Sequence, residues 1–235
     1  MTSAIIVAAG RGTRMGPNVD KLFLELNGRP VVAHTWQRFE EADCIHDIIL
    51  VVRDGMQGDF QKLAGKYKFG KPHRFVVGGK ERQDSVWNGL EALSLEADIV
   101  AIQDAARPCT EQALIEETIE AARVTGAAVA AQAVTDTIKE SADGELIERT
   151  VDRSRLWAVQ TPQSFRVSII RSALAEARRR GLLVTDDTAA CELIGQPVKL
   201  VVSNRPNPKV TRPEDIAFIE ILLKGAGARP IADRK

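Results

Sequence analysis

Three features of the sequence predict an α/β, Rossmann-like fold, with a mostly parallel twisted sheet and helices on both faces. A short apolar run, Ala4-Ile5-Ile6-Val7-Ala8-Ala9, breaks directly into Gly10-Arg11-Gly12-Thr13-Arg14-Met15-Gly16, with Lys21 beyond it. Further short apolar runs alternate with stretches of helical periodicity, the pattern of a sheet wound with crossover helices. The chain has 235 residues, 44% of them hydrophobic, which is enough to bury a sizeable core.

Residues 4–9 form the first expected strand. Helical spacing follows over Val31 to Phe39, and Asp47-Ile48-Ile49-Leu50-Val51-Val52 reads as a second buried strand. A helix is expected over Met56 to Tyr67, then a strand at Arg74-Phe75-Val76-Val77 ending in Gly78-Gly79. The next helix carries Val86, Leu90 and Leu93 on one face. Asp98 to Gln103 is a strand, Ile115, Ile119 and Ala122 mark the inward face of a helix, and Ala127 to Val134 is a strand. Thr137-Ile138-Lys139-Glu140 and Glu145-Leu146-Ile147-Glu148 flank Asp143-Gly144, a hairpin signal. This ribbon has few apolar residues, so it is expected to lean on its own sheet or on a second subunit. Val167 to Arg179 is a helix and Val198 to Val202 a strand. Thr211-Arg212-Pro213-Glu214 reads as a capping box opening a last helix with Ile216, Ile219 and Leu223 inward. A loose tail from Gly225 is expected.

Composition narrows the function. Formal net charge is zero, which argues against nonspecific binding to nucleic acid or membranes. Cys44, Cys109 and Cys191 are far apart and lack zinc spacing, so a reducing cytoplasm is expected. The N-terminal apolar run has no basic leader, and no segment approaches the roughly 20 apolar residues of a membrane span.

Loop spacing narrows it further. A dinucleotide fingerprint needs G-x-G-x-x-G, but the third glycine here, Gly16, comes one place too late. No acid stands about 20 residues on, as that fingerprint requires. The Gly-Lys-Ser/Thr closing a Walker loop is also missing. The glycines expose backbone N–H groups to an anion, and Arg14 and Lys21 supply charge for a polyphosphate. In open α/β sheets ligands sit at the carboxyl ends of the strands. That rule gathers Gly10, the Gly78-Gly79 turn and Asp104 on one rim.

Each remaining candidate has two readings. Ser85, in Gly79-Lys80-Glu81-Arg82-Gln83-Asp84-Ser85, can read a base edge, or the segment is a solvated first turn. Asp104 can hold Mg²⁺ together with phosphate oxygens or cap the following turn. Arg153 is a phosphate fork or a surface ion-pair partner. Thr185-Asp186-Asp187 can be explained by N-capping alone. Lys209 points at phosphate or is an ordinary exposed lysine.

In joint order, A-A-G-R-G-T-R-M, Lys21, G-G-K-E-R-Q-D-S-V, D-A-A-R-P, V-T-D-T-I-K, T-V-D-R-S-R-L-W-A-V-Q-T-P-Q, T-D-D and K-V-T-R-P-E-D run from about Ser3 to Leu223. This series closely resembles the 2-C-methyl-D-erythritol 4-phosphate cytidylyltransferase family. The chain departs from the family at Val19-Asp20 before Lys21 and at Pro208 before Lys209. The resemblance implies a single nucleotidyltransferase domain over 1–235, with a β-arm at about 135–158 that serves dimerisation. It implies in-line attack of the sugar phosphate on the α-phosphorus of CTP, with pyrophosphate leaving. Arg14 and Lys21 would stabilise the transition state, with Arg153 and Lys209 also acting in catalysis. Ala8, Ala9, Gly10, Gly12, Gly79, Ser85 and Asp104 would hold CTP, and Asp104 would bind Mg²⁺ or another divalent cation. Thr137, Arg153, Thr161, Thr185, Lys209 and Arg107 would hold the methylerythritol phosphate. A cytidylyltransferase acting on a pentitol phosphate such as ribitol 5-phosphate is the nearest alternative. A nucleotide-binding regulator without turnover and an NAD-dependent oxidoreductase stand further off.

Overall fold

The computed structural model describes residues 1–10, 12 and 20–225. Arg14 and the expected tail at 226–235 therefore lie outside the described residues. The chain opens with β1 (Thr2–Val7), followed by a two-residue-per-strand ribbon, β2 (Glu25–Leu26) and β3 (Arg29–Pro30). Asn27 and Gly28 turn this ribbon with φ of 50° and 76°, the mirror-image turn that suits hairpins. Helix α1 (Val31–Glu40), β4 (Asp47–Val52), α2 (Gln57–Tyr67), β5 (His73–Val77), α3 (Arg82–Glu91), β6 (Ile99–Asp104), α4 (Gln112–Thr125) and β7 (Ala127–Ala133) then alternate. The arm holds β8 (Ile138–Glu140) and β9 (Arg149–Val151). The described residues end with β10 (Trp157–Arg166), α5 (Val167–Arg179), α6 (Asp187–Glu192), β11 (Lys199–Val202) and α7 (Asp215–Gly225).

Seven strands form one sheet in the order β11-β7-β10-β6-β1-β4-β5. All pair in parallel except β10, which runs antiparallel between β6 and β7. The sheet is thus mixed, though mostly parallel as expected. Strand side chains alternate between two cores, as period-two geometry requires. Ala4, Ile6, Ile48, Leu50, Ile99 and Ala101 face α1, α2, α4 and α7. Ile5, Ile49, Val51, Val100 and Ile102 face α3, α5 and α6. On that side α3 packs close: a Cβ on Gly89 would come within 2.8 Å of Ile5.

From β1 the chain winds outward to β4 and β5, then crosses back to place β6 on the other side of β1. The carboxyl ends of β1 and β6 therefore flank a switch point, where doubly wound sheets bind ligands.

Three local expectations need correction. Glu145–Glu148 is not a strand; β8 pairs with Arg149–Val151. Asp143 Oδ1 accepts from the backbone N–H groups of Glu145 and Leu146 (2.8 and 3.0 Å). This side-chain turn takes donors that a strand ladder would need. The last helix starts at Asp215, and its capping acid is Asp215 rather than Glu214: its Oδ2 accepts from Thr211 N (2.7 Å) and Arg212 N (2.8 Å). Strand β10 was not expected at all. Pro162 argues against a central strand because it lacks a ladder donor. A register shift between Val159 and Gln163 accommodates it.

Candidate active site

A cleft opens at the switch point. Val7, Ala9 and Gly10 line it from the end of β1, Gly79, Arg82 and Ser85 from the start of α3, and Asp104 and Ala106 from the end of β6. Lys21 and Lys209 close it. The expected gathering of Gly10, the Gly78-Gly79 turn and Asp104 is therefore present.

The loop glycines have separate reasons. Gly12 has a φ of +63°, and a Cβ there would come within 2.8 Å of Lys21 Cδ. The missing side chain lets the Lys21 stem pass the loop, and Lys21 Nζ donates to Val210 O at 3.0 Å. Asp20, where the family pattern differs, accepts from Leu22 N at 3.2 Å and contacts Arg53, so it closes the turn that contains Lys21. At Gly79 a Cβ would overlap that of Asp84, at 2.3 Å. Ser85 is buried; its Oγ accepts from Gly79 N (3.1 Å) and donates to Glu81 O (3.2 Å). A hydroxyl oxygen has two lone pairs, so Ser85 fastens the turn and retains one acceptor.

Asp104 is the electrostatic centre. Its Oδ2 lies 2.8 Å from Lys209 Nζ and 3.5 Å from Arg107 Nε, and its Oδ1 lies 3.5 Å from Arg82 Nε. Burial alone would raise the carboxyl's pKa. Lys209, Arg82 and Arg107 outweigh that and hold it well below the usual carboxylate range. Thr161 is buried beneath it, and Thr161 Oγ1 accepts from Asp104 N at 3.1 Å. Thr161 holds the Asp104 backbone from β10 and does not itself line the cleft.

Three participants were not expected from the sequence. Arg82, read there as part of a solvated first turn, also ion-pairs with Asp187 at 2.8 Å, and the Asp187 side chain is fully buried. Burial alone would lower the Arg82 pKa; Asp187 and Asp104 hold it above the ordinary value. For Asp187, burial dominates over Arg82 and pushes the carboxyl up. The third is Asn207, also buried. Its Nδ2 donates to Thr161 O (2.8 Å) and Gln160 Oε1 (3.2 Å), while its carbonyl O accepts from Arg107 Nη1 (2.6 Å). It locks the loop carrying Lys209 to β10. The sequence signals were only an arginine two residues past Lys80, an acid after an N-cap, and an asparagine before proline.

Other expected residues sit apart. Ala8 is buried behind the loop. Thr185 is exposed, immediately ahead of Asp186, which N-caps α6 through Ala189 N (2.9 Å). The capping reading of that acid is correct, and it leaves Thr185 open to solvent. Thr137 and Arg153 are exposed on the arm and do not line the cleft of their own chain. Arg153 Nη1 donates to Thr135 O.

Solved proteins of the same fold define the class. The structure superposes on 4-diphosphocytidyl-2C-methyl-D-erythritol synthase from Anaerococcus prevotii with a TM-score of 0.83 and 32% identity, covering 95% of this chain and 96% of that one. For 2-C-methyl-D-erythritol 4-phosphate cytidylyltransferase from Thermus thermophilus the TM-score is 0.79 and the identity 32%, over 95% and 100% of the two chains. The fold is that of an α/β nucleotidyltransferase. Residues 2–225 match the sequence profile of IspD, 2-C-methyl-D-erythritol 4-phosphate cytidylyltransferase, and the chain belongs to this family. A relative of that name from Geobacillus thermodenitrificans is 44% identical over 220 residues, 94% of this chain and 96% of its own.

Proposed function

We propose that the protein transfers the cytidylyl group of CTP to 2-C-methyl-D-erythritol 4-phosphate. A phosphate oxygen of the sugar phosphate bonds to the α-phosphorus. The bond from that phosphorus to the bridging oxygen breaks, and the electron pair leaves with pyrophosphate. The observation that carries this reading is the Asp104 cluster: Lys209, Arg82 and Arg107 converge on one buried carboxylate at the switch point of a cytidylyltransferase fold. With Lys21 the cleft is cationic, as a polyphosphate requires. Transfer between phosphates depends on positioning and charge neutralisation, with no protein nucleophile needed.

In this reading the backbone at Ala8 to Gly10 and Gly12 cradles the nucleotide, and Gly79 and Ser85 read the cytosine. The spare Ser85 lone pair can accept from the exocyclic amine. Lys21, with Arg14, meets the charge that builds on the α-phosphoryl group. Lys209 and Arg107 hold the sugar phosphate from one subunit, with Thr161 steadying the Asp104 backbone behind them. Thr137 and Arg153 reach it from the arm of a second copy. Exposed Leu146 and Ile147 on the arm support such a homodimer.

Asp104 would hold Mg²⁺. Among the described residues no group of three or more His, Cys, Asp or Glu could hold a metal. One ionised carboxylate completed by phosphate oxygens suits Mg²⁺, so the fit depends on the nucleotide being present. The ion would neutralise charge on the phosphates. The three free cysteines suit a reducing cytoplasm. No helix among the described residues is long and apolar enough to cross a membrane.

A pyrophosphate-release assay with CTP and either methylerythritol phosphate or ribitol 5-phosphate tests the reading. Release is expected with the former and is expected to stop in EDTA. Equal or faster release with ribitol 5-phosphate would move the chain to the alternative substrate, and full activity in EDTA would remove the metal assignment.

A further inference from the structure

Asp104 and Asp187 share Arg82, yet their surroundings differ. Among the described residues Asp104 has three cationic neighbours for one charge. Asp187 has one ion-pair partner among the described residues, Arg82 at 2.8 Å, and neither of its carboxyl oxygens has a partner in hydrogen-bond geometry there. A fully buried carboxylate in that position cannot touch a ligand in the cleft. Its backbone is fixed: Asp187 N donates to Gln163 Oε1 (3.1 Å), and Gln163 Nε2 donates to Asp186 Oδ2 (2.8 Å). Gln163 belongs to β10, so the start of α6 is clamped to the centre of the sheet.

Arg82, by contrast, keeps 27% of its side chain exposed and lines the cleft between Ser85 and Asp104. A guanidinium carries five donors in a rigid fork. Nη2 is committed to Asp187, and Nε faces Asp104 at the length of a loose ion pair. When a metal-bound triphosphate takes over Asp104, Arg82 retains its anchor and presents its remaining donors to the phosphates. Holding a long side chain in place before the ligand arrives removes an ordering cost from binding.

We propose that Arg82 is a phosphate-holding residue for CTP and that buried Asp187 is the positioning residue that aims it. This rests on the cleft being the CTP site. Equilibrium binding of CTP with Mg²⁺, and separately of cytidine, is measured for the wild type, Arg82→Gln, Asp187→Asn and the double variant. Arg82→Gln is expected to weaken CTP binding about 10- to 100-fold, the worth of hydrogen bonds to a charged group, and to leave cytidine binding unchanged. Asp187→Asn is expected to lose part of the same affinity. Because it acts through Arg82, the double variant should match Arg82→Gln alone. Arg82→Gln strips buried Asp187 of its partner, whereas the double variant leaves no uncompensated buried charge. If Arg82→Gln alone does not fold, the double variant decides: CTP bound more weakly than by Asp187→Asn, with cytidine unchanged, supports the proposal, and CTP bound as by Asp187→Asn overturns it. Wild-type affinity for CTP in Arg82→Gln, parallel loss of cytidine, or a further loss in the double variant overturns the proposal. A wild type that binds no CTP would instead overturn the functional reading beneath it.

Discussion

In the cleft, polar groups are held across long stretches of sequence. Asp104 is gripped from α3, from its own turn and from Lys209, Asn207 ties that lysine's loop to β10, and Gln163 ties α6 to the same strand. In the arm, bonds join near neighbours: Asp143 to Glu145 and Leu146, Lys139 to Thr150, Asp152 to Ser154. Leu146 is 74% and Ile147 65% exposed, whereas the β4 residues Ile48 to Val52 are fully buried. The contrast separates two ways of placing a functional residue. The cleft places Lys21, Arg82 and Asp104 by packing within one chain. The arm carries Thr137 and Arg153 on a ribbon of a kind that is marginal alone, so a precise position for them needs a second surface.

Changes on the cleft side should therefore act on chemistry most strongly. Lys21→Ala is expected to lower kcat by about 10²–10³, the usual cost of losing one well-placed charge donor. Its thermal unfolding should match the wild type, because the lysine is only partly buried and its bond to Val210 O is one of several in that loop. Turnover within a few-fold of wild type would take Lys21 out of the site.

A smaller effect tests whether the network itself is what fixes the cleft. Asn207→Ala strips partners from Thr161 O, Gln160 and Thr110. Buried groups left unpaired cost about 1–3 kcal/mol, to be read by urea unfolding, and the loosened Lys209 should raise KM for the sugar phosphate. An unchanged midpoint and KM would mean the loop is held by other contacts.

On the arm, Leu146→Ser with Ile147→Ser should leave CTP affinity unchanged while shifting sedimentation toward the monomer. Weaker CTP binding would show that the two regions are not built independently.

The same division explains what the sequence discloses. Strand β4 and helix α5 coincide with their expected bounds, Asp47–Val52 and Val167–Arg179, because a fully buried strand and a strongly amphipathic helix carry their signal locally. The rim position of Gly10, Gly79 and Asp104 followed from strand ends alone. Strand β10 stayed hidden because Gln160, Thr161, Pro162 and Gln163 read as a polar loop, and only the pairing with β6 and β7 explains them. Arg82 and Asp187 are ordinary charges in sequence. Their meaning arises when α3 and α6 meet over the second core, which no local window reports. The hairpin was visible as a ribbon, but the side-chain turn at Asp143 moved its second strand.

We propose that cleft and arm from different subunits make one site, and subunit complementation tests this most directly. Lys21→Ala and Arg153→Ala homodimers should each be nearly inactive. Unfolded and refolded together in equal amounts, about half of the resulting C₂ dimers should be mixed. If Lys21 acts in its own chain and Arg153 in its partner's, each mixed dimer has one site with neither mutation, and activity should return to about a quarter of wild type. Mixed dimers that are verified and remain inactive would contradict the shared site, as would a wild-type protein that is fully active as a monomer.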